Sequence, residues 1–266
     1  MSAVPLVAPA QSITLPALTG SWSRTLLVRA DGSRDTGTQV TWLQAGSAYV
    51  DLRQPDRPAP TGPLACLDRS GLLRLLEQEA FAGTLSLTGE VAEWHRSIDL
   101  TLSAPLGDLG RLHLEGERLV EDGVHEVYLE QWERVARGAY IGLQLSNGET
   151  PAVLARVGSV FGWARGRSVR LPAGTDLVEL VSRVPFEEAV ALLDVEICLG
   201  TVDERGWIVE RSTLPHGVGR DLRPELLPDG TVRTSDLTPA GETLSRVWHI
   251  GTSEGDASLL DNRGLQ

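Results

Sequence analysis

Along most of the chain apolar and polar residues alternate with period two, in short runs separated by Gly, Pro, Asn and Asp. That is the pattern of half-buried antiparallel strands. Trp22 to Arg29 is the first run, ended by the Asp31-Gly32 turn, and Gln39 to Gln44 with Ala48 to Arg53 make a hairpin about Ala45-Gly46-Ser47. Pro55, Pro58, Pro60 and Pro63 exclude helix and central strand, so 54 to 63 reads as a loop. Leu72, Leu73, Leu75, Leu76 and Ala80 then recur at helical spacing behind Asp68 or Ser70 as N-cap. Strand patterns return at Thr84 to Glu90, Glu93 to Leu102, Gly110 to Glu115 and Glu126 to Val135.

The second half repeats this order. Ala139 to Leu145, the Asn147-Gly148 turn, Ala152 to Val157 and Val160 to Arg165 read as strands, Asp176 to Val184 as a short helix, and Val190 to Thr201, Trp207 to Thr213 and Arg246 to Ile250 as strands again. Duplication of a strand-strand-strand-helix-strand unit predicts an all-β fold of two consecutive antiparallel β-barrels, each with one short helix. The boundaries are a disordered leader at 1–21, an N-terminal barrel at 22–136, a C-terminal barrel at 137–252 and a tail at 253–266. Residues 217 to 245, with Pro224, Pro228 and Pro239, read as a long loop.

Two strands carry more charge than a dry core tolerates. Period two places Trp94, Arg96, Ile98, Leu100 and Leu102 on one face, and Tyr128, Glu130 and Trp132 on another. Arg96 among apolar neighbours and Glu130 between aromatics predict a lined cavity in the N-terminal barrel, with the two charges paired at its polar pole. His125 or Glu130 would move a proton there, and Arg96 would steady a developing oxyanion. Trp42, Tyr49, Arg53, Trp94, Tyr128 and Trp132 are the candidate ligand-binding residues. The second barrel, mostly apolar over Val190 to Leu199, is expected to be structural.

Composition removes several classes. A net charge of −12 and a pI near 4.9 would repel a phosphate backbone, so nucleic acid is no expected partner. All 24 basic residues are arginine, which excludes Schiff-base chemistry and a Walker-type phosphate lysine. Cys66 and Cys198, one in each half, make neither a disulfide framework nor a metal cluster. The five histidines are scattered, and no G-x-S-x-G, H-E-x-x-H, C-x-x-C or helix-opening G-x-G-x-x-G occurs. No cofactor or metal is therefore expected. No apolar run approaches the roughly 20 residues that span a bilayer, and the N-terminus has no positive n-region. The expectation is a cytoplasmic monomer or homodimer with no membrane partner.

Thr41-Trp42-Leu43-Gln44, Tyr49-Val50-Asp51-Leu52-Arg53, Trp94-His95-Arg96-Ser97-Ile98-Asp99, Gly123-Val124-His125, Tyr128 to Glu133, and Trp207 with Ser212-Thr213-Leu214-Pro215 resemble the Hri-type family. It comprises fungal proteins named for interacting with a casein kinase and their bacterial relatives. The resemblance spans Trp22 to Pro215 and implies two lipocalin-like barrels, without an activity. The expected function is the binding of a small apolar or aromatic molecule in the N-terminal barrel. The alternatives are a cofactor-independent isomerase, cyclase or lyase of bacterial secondary metabolism, and a protein-interaction scaffold.

Overall fold

The structure is a computed structural model that describes residues 13–102, 106–148, 150–172 and 174–261. The first half holds β1 (Gly20–Arg29), β2 (Arg34–Asp35), β3 (Gln39–Ala45), β4 (Ala48–Gln54), β5 (Glu79–Thr88), β6 (Val91–Asp99), β7 (Asp108–Glu115), β8 (Arg118–Gly123) and β9 (Tyr128–Ala136). Each pairs antiparallel with its neighbour, and β9 returns to β1, so all but the two-residue β2 form a closed eight-stranded barrel. The second half holds β10 (Tyr140–Asn147), β11 (Thr150–Val157), β12 (Val160–Arg165), β13 (Glu196–Asp203), β14 (Gly206–Ser212), β15 (Glu225–Leu226), β16 (Val232–Leu237) and β17 (Thr243–Gly255). They form a curled sheet in the order β14-β13-β12-β11-β10-β17-β16-β15. Its two ends are not paired directly. Residues 219–222 lie between them: the Val209 and Leu222 amides donate to Arg220 and Trp207, and the Ser235 amide donates to Leu222.

The duplication shows in the register. Arg53, next to last in β4, faces Glu79 opening β5, and Arg165 ending β12 faces Glu196 opening β13. Leu85 faces Trp94 as Val202 faces Trp207, and both pairs of strands slip register, beside Gly83 and Gly200. A Cβ at Gly83 would sit 1.9 Å from the His95 carbonyl oxygen, and one at Gly200 2.1 Å from that of Ile208. Only glycine permits the bulge at either place.

Helix is sparse, as the pattern predicts: α1 (Leu15–Leu18), α2 (Arg69–Leu75), α3 (Leu177–Arg183) and α4 (Phe186–Leu193). Asp68 caps α2 by accepting from the Gly71 amide, and Asp176 caps α3 from the Glu179 amide. The second half thus carries two helices where one was expected. Residues 190–193, expected to open the strand Val190 to Thr201, belong instead to α4, because Pro185 starts a helix whose first turn holds Glu187 and Glu188 and whose Ala189, Val190, Leu192 and Leu193 are buried. The helix expected to reach Ala80 stops at Leu75, and Ala80 and Phe81 enter β5.

Other expectations fail in the direction of more order. Residues 217–245 contain β15, β16 and the start of β17, and the tail contains the end of β17 and a 3-10 turn, Ala257–Leu260, whose Leu260 is buried. Arg118–Gly123 is a strand that the pattern missed. The leader lies outside the described residues as far as residue 12. From Ile13 it is ordered, since Ile13 and Leu18 pack into the barrel and the Trp22 indole donates to the Leu18 carbonyl at 2.8 Å.

The outer face of the first barrel packs on the second unit. Leu43, Val50, Leu52, Ala82 and Ile98 meet Val153, Ala155, Ala164, Ile197 and Leu199 in one buried layer. Gly162 allows the close approach, because a Cβ there would lie 2.9 Å from that of Val50. Arg211 latches the edge of this layer, donating to Gln54 Oε1 and Thr41 Oγ1 at 2.9 Å each.

Candidate functional site

Opposite ends of the first barrel differ in chemistry because inward residues of the same strands change type along their length. One end is filled by rings. Trp42 stacks on Trp22 at 6.2 Å and meets Trp94 and Trp132 edge-on, each at 5.7 Å, and α1 closes this end. Such pairs add about 0.5–1.5 kcal/mol each beyond burial. The expected aromatic wall is therefore a plug: Trp42, Trp94 and Trp132 cover one another and leave no face for a ligand.

The other end gathers the finish of β1, β4, β6 and β8 and the start of β3, β5, β7 and β9. Its inward side chains are charged. Glu130 Oε1 accepts from Arg24 at 2.6 Å and from Arg53 at 3.4 Å, while Arg24 also reaches Asp35 at 2.9 Å and Arg53 reaches Asp51 at 2.9 Å. Arg96 holds Asp108 at 2.5 Å and Asp99 at 3.2 Å, with its guanidinium 3.6 Å from the centre of the Phe81 ring. Tyr128 donates to Glu121 at 2.7 Å, and Glu121 stands directly across from Glu130 in the β8–β9 register. Arg53 and Arg96 retain about a fifth of their side-chain exposure, so the charged end is a mouth.

Burial sets the protonation states here. Glu121, 4% exposed, is pushed up to about 8, first by burial and then by the negative charge of Glu130. Asp51 is also raised by burial, against the pull of Arg53, and burial beside Glu121 raises the Tyr128 phenol. Glu121 is thus a buried acid that keeps its proton near neutral pH. Four further polar atoms of this half, Tyr49 Oη, Glu130 Oε2, Trp132 Nε1 and Arg134 Nε, are buried without a hydrogen-bond partner, as are Trp163 Nε1, Glu196 Oε2 and both ring nitrogens of His216 in the second unit; Tyr49 and Glu130 are the two that lie at the charged end.

Tyr49, Arg53, Tyr128 and Glu130 all face the interior, as their strand parity predicts. Arg96 and Glu130 do not pair. The bulge beside Gly83 skips Ser97, so Ile98 turns outward into the layer between the units, while Asp99 turns inward and takes Arg96 together with Asp108. His125 stands exposed in the bend between β8 and β9, outside the interior, and is in no position for proton transfer there. Glu121 was missed because Arg118, Glu121 and Asp122 surround only two apolar residues, and the segment reads as loop. The signal was the Gly116 turn followed by alternation of Leu119 and Glu121 opposite the Trp132 and Glu130 face.

The second unit is not simply apolar. Arg165 pairs with Asp194 at 2.7 Å and Asp236 at 3.3 Å, Arg220 with Glu196 at 2.5 Å, and Arg246 with Asp236 at 2.5 Å. Guanidinium and carboxylate groups balance in this cluster, and it tethers the ends of β12, β13 and β16. Outside both interiors, a groove of about 440 Å³ is lined by Gln39, Gln54 and residues 55–60 beside the mouth of the first barrel. Among the described residues no group of three or more His, Cys, Asp or Glu could hold a metal, and no helix is long and apolar enough to cross a membrane.

No protein-family model and no curated protein matches the chain. Its fold is similar to that in the crystal structure of the uncharacterized protein YLR301w from Saccharomyces cerevisiae. That likeness has a TM-score of 0.54 and 11% identity, over 89% of this chain and 98% of that one. At this identity the likeness is one of fold alone.

Proposed function

We propose that the first barrel is a chamber for a small molecule, which enters at the charged mouth rather than against the tryptophans. The observation that carries this is the pair of unpartnered buried atoms at the charged end, Tyr49 Oη and Glu130 Oε2. Leaving a buried donor or acceptor unsatisfied costs about 1–3 kcal/mol, and in one barrel interior the simplest compensation is a bound polar group. Membership of the Hri-type family belongs to the same proposal, on the residues quoted above. The test is a fragment set spanning cations, anions and neutral molecules, read by melting temperature and tryptophan emission. Fragments should raise the melting temperature of the wild type and lose that effect in Tyr49→Phe and Glu130→Gln. Fragments that stabilise all three proteins equally would place binding elsewhere, and an absence of hits would end the proposal.

A second reading, a cofactor-independent isomerase, cyclase or lyase, is favoured by one specific feature. Glu121, held protonated beside Tyr128, is placed to give a proton to a molecule in the mouth and to recover it. In that reading Glu121 replaces His125 as the acid, and turnover of any substrate found would vanish in Glu121→Gln while binding persisted.

A further inference from the structure

The mouth is short of positive charge, and the shortage centres on Glu130. Arg24 divides itself between Glu130 and Asp35, and Arg53 divides itself between Glu130 and Asp51. Arg96 is taken by Asp99 and Asp108. Asp51, Asp99, Asp108 and Glu130 thus face three guanidinium groups, one of them shared with Asp35, while Glu121 keeps its proton and adds no charge. Glu130 is 2% exposed and only its Oε1 is engaged. Independently, the Tyr49 hydroxyl, fully buried close to the charges of Arg96, Asp108, Asp51 and Asp99, has no hydrogen-bond partner. The rim has another character: Leu106, Val124 and Val127 are exposed, at 72%, 38% and 77%. They sit on the connections before β7 and between β8 and β9.

Resting on the chamber reading, we infer that the mouth takes a primary ammonium group on a short apolar body, with Glu130 Oε2 as counter-charge and the apolar rim against the body. An anion would meet uncompensated carboxylates, and a neutral alcohol would leave the charge deficit in place. A cation beside Glu130 also makes ionisation of Glu121 easier, so binding releases a proton from Glu121 to solvent. Besides Glu130, the groups facing Glu121 are Tyr128, Arg53 and Asp108.

The experiment is titration calorimetry at pH 7 with three probes that share a phenylethyl body: 2-phenylethylammonium, 3-phenylpropionate and 2-phenylethanol. The ammonium should bind at least about ten-fold more tightly than the other two, a difference of about 1.4 kcal/mol. Its apparent enthalpy should vary with the ionisation enthalpy of the buffer, and Glu121→Gln should remove that dependence. Glu130→Gln should weaken it by at least about ten-fold. Tyr49→Phe leaves every ion pair in place and should weaken it by roughly two- to ten-fold, so the question stays answerable if Glu130→Gln fails to fold. Tighter binding of the carboxylate or the alcohol, sensitive to Tyr49→Phe, would overturn the ammonium class and leave the chamber standing. Ammonium binding with no response to either variant would overturn the site. If none of the probes binds, the inference falls, and the chamber reading falls with it only if the wider fragment set also fails.

Discussion

Glu121 offers the sharpest quantitative test of the charged mouth. Its carboxyl rises from 4.5 when solvated to about 8 in the fold. Between those values the folded protein binds more protons than the unfolded chain, so stability falls as pH rises through this window and levels off above 8. The contribution is fully present below pH 4.5 and lost as pH rises through 8. At about 1.4 kcal/mol per pH unit of displacement, the loss from this one group has a ceiling of about 5 kcal/mol. Glu121→Gln keeps an acceptor for the Tyr128 hydroxyl and cannot ionise. Urea unfolding at pH 5.5, 7 and 8.5 should show the variant level with or slightly below the wild type at the lowest pH. It should then gain steadily, to exceed the wild type by about 2–4 kcal/mol at the highest. A stability difference independent of pH would refute the assignment of a buried protonated carboxyl at this position.

Three further outcomes follow from the contacts. Arg96→Met and Glu130→Leu should have additive effects on unfolding free energy, whereas Arg24→Met and Glu130→Leu should couple by about 1–3 kcal/mol in a double-mutant cycle; the reverse pattern would contradict the two separate ion networks. Gly83→Ala should cost about 3 kcal/mol, by forcing a Cβ into the His95 carbonyl, and the equivalent Gly200→Ala a similar amount; denaturant midpoints near the wild type would show that the bulges are not needed. Trp42→Ala removes the ring that touches Trp22, Trp94 and Trp132 and should cost about 3–5 kcal/mol in chemical unfolding.

Fold class was legible because strand periodicity is a local property. The hairpins about Gly46 and Asn147-Gly148, the Asp68 cap and the inward face of Tyr128, Glu130 and Trp132 all need only neighbours in sequence. What failed needed information from elsewhere in the chain. The parity of Ile98 depends on a bulge set by Gly83 on the adjacent strand, and one skipped residue sends every later side chain to the other face. The same slip turned Asp99 inward to take Arg96, while Glu130 is held by Arg24 and Arg53. Partners such as Arg24 for Glu130 lie 106 positions apart, and Arg24 offers no apolar-face signal of its own. Alternation also misled at 190–193, where short apolar runs fit strand and helix alike and Pro185 was the deciding residue.

The layer where the two units meet has a consequence for inheritance. A copied barrel can usually drift free of its parent, acquiring partners or being lost, because its surface was already water-compatible. Here Val50, Leu52, Ala82 and Ile98 on one side and Val153, Ala155, Ile197 and Leu199 on the other each supply what would be the other's exposed apolar patch. Separation at Arg137-Gly138 would leave two sticky halves, so the pair has to persist, be transcribed and be lost together. One barrel is thereby free to change its interior chemistry for as long as the other keeps the wall.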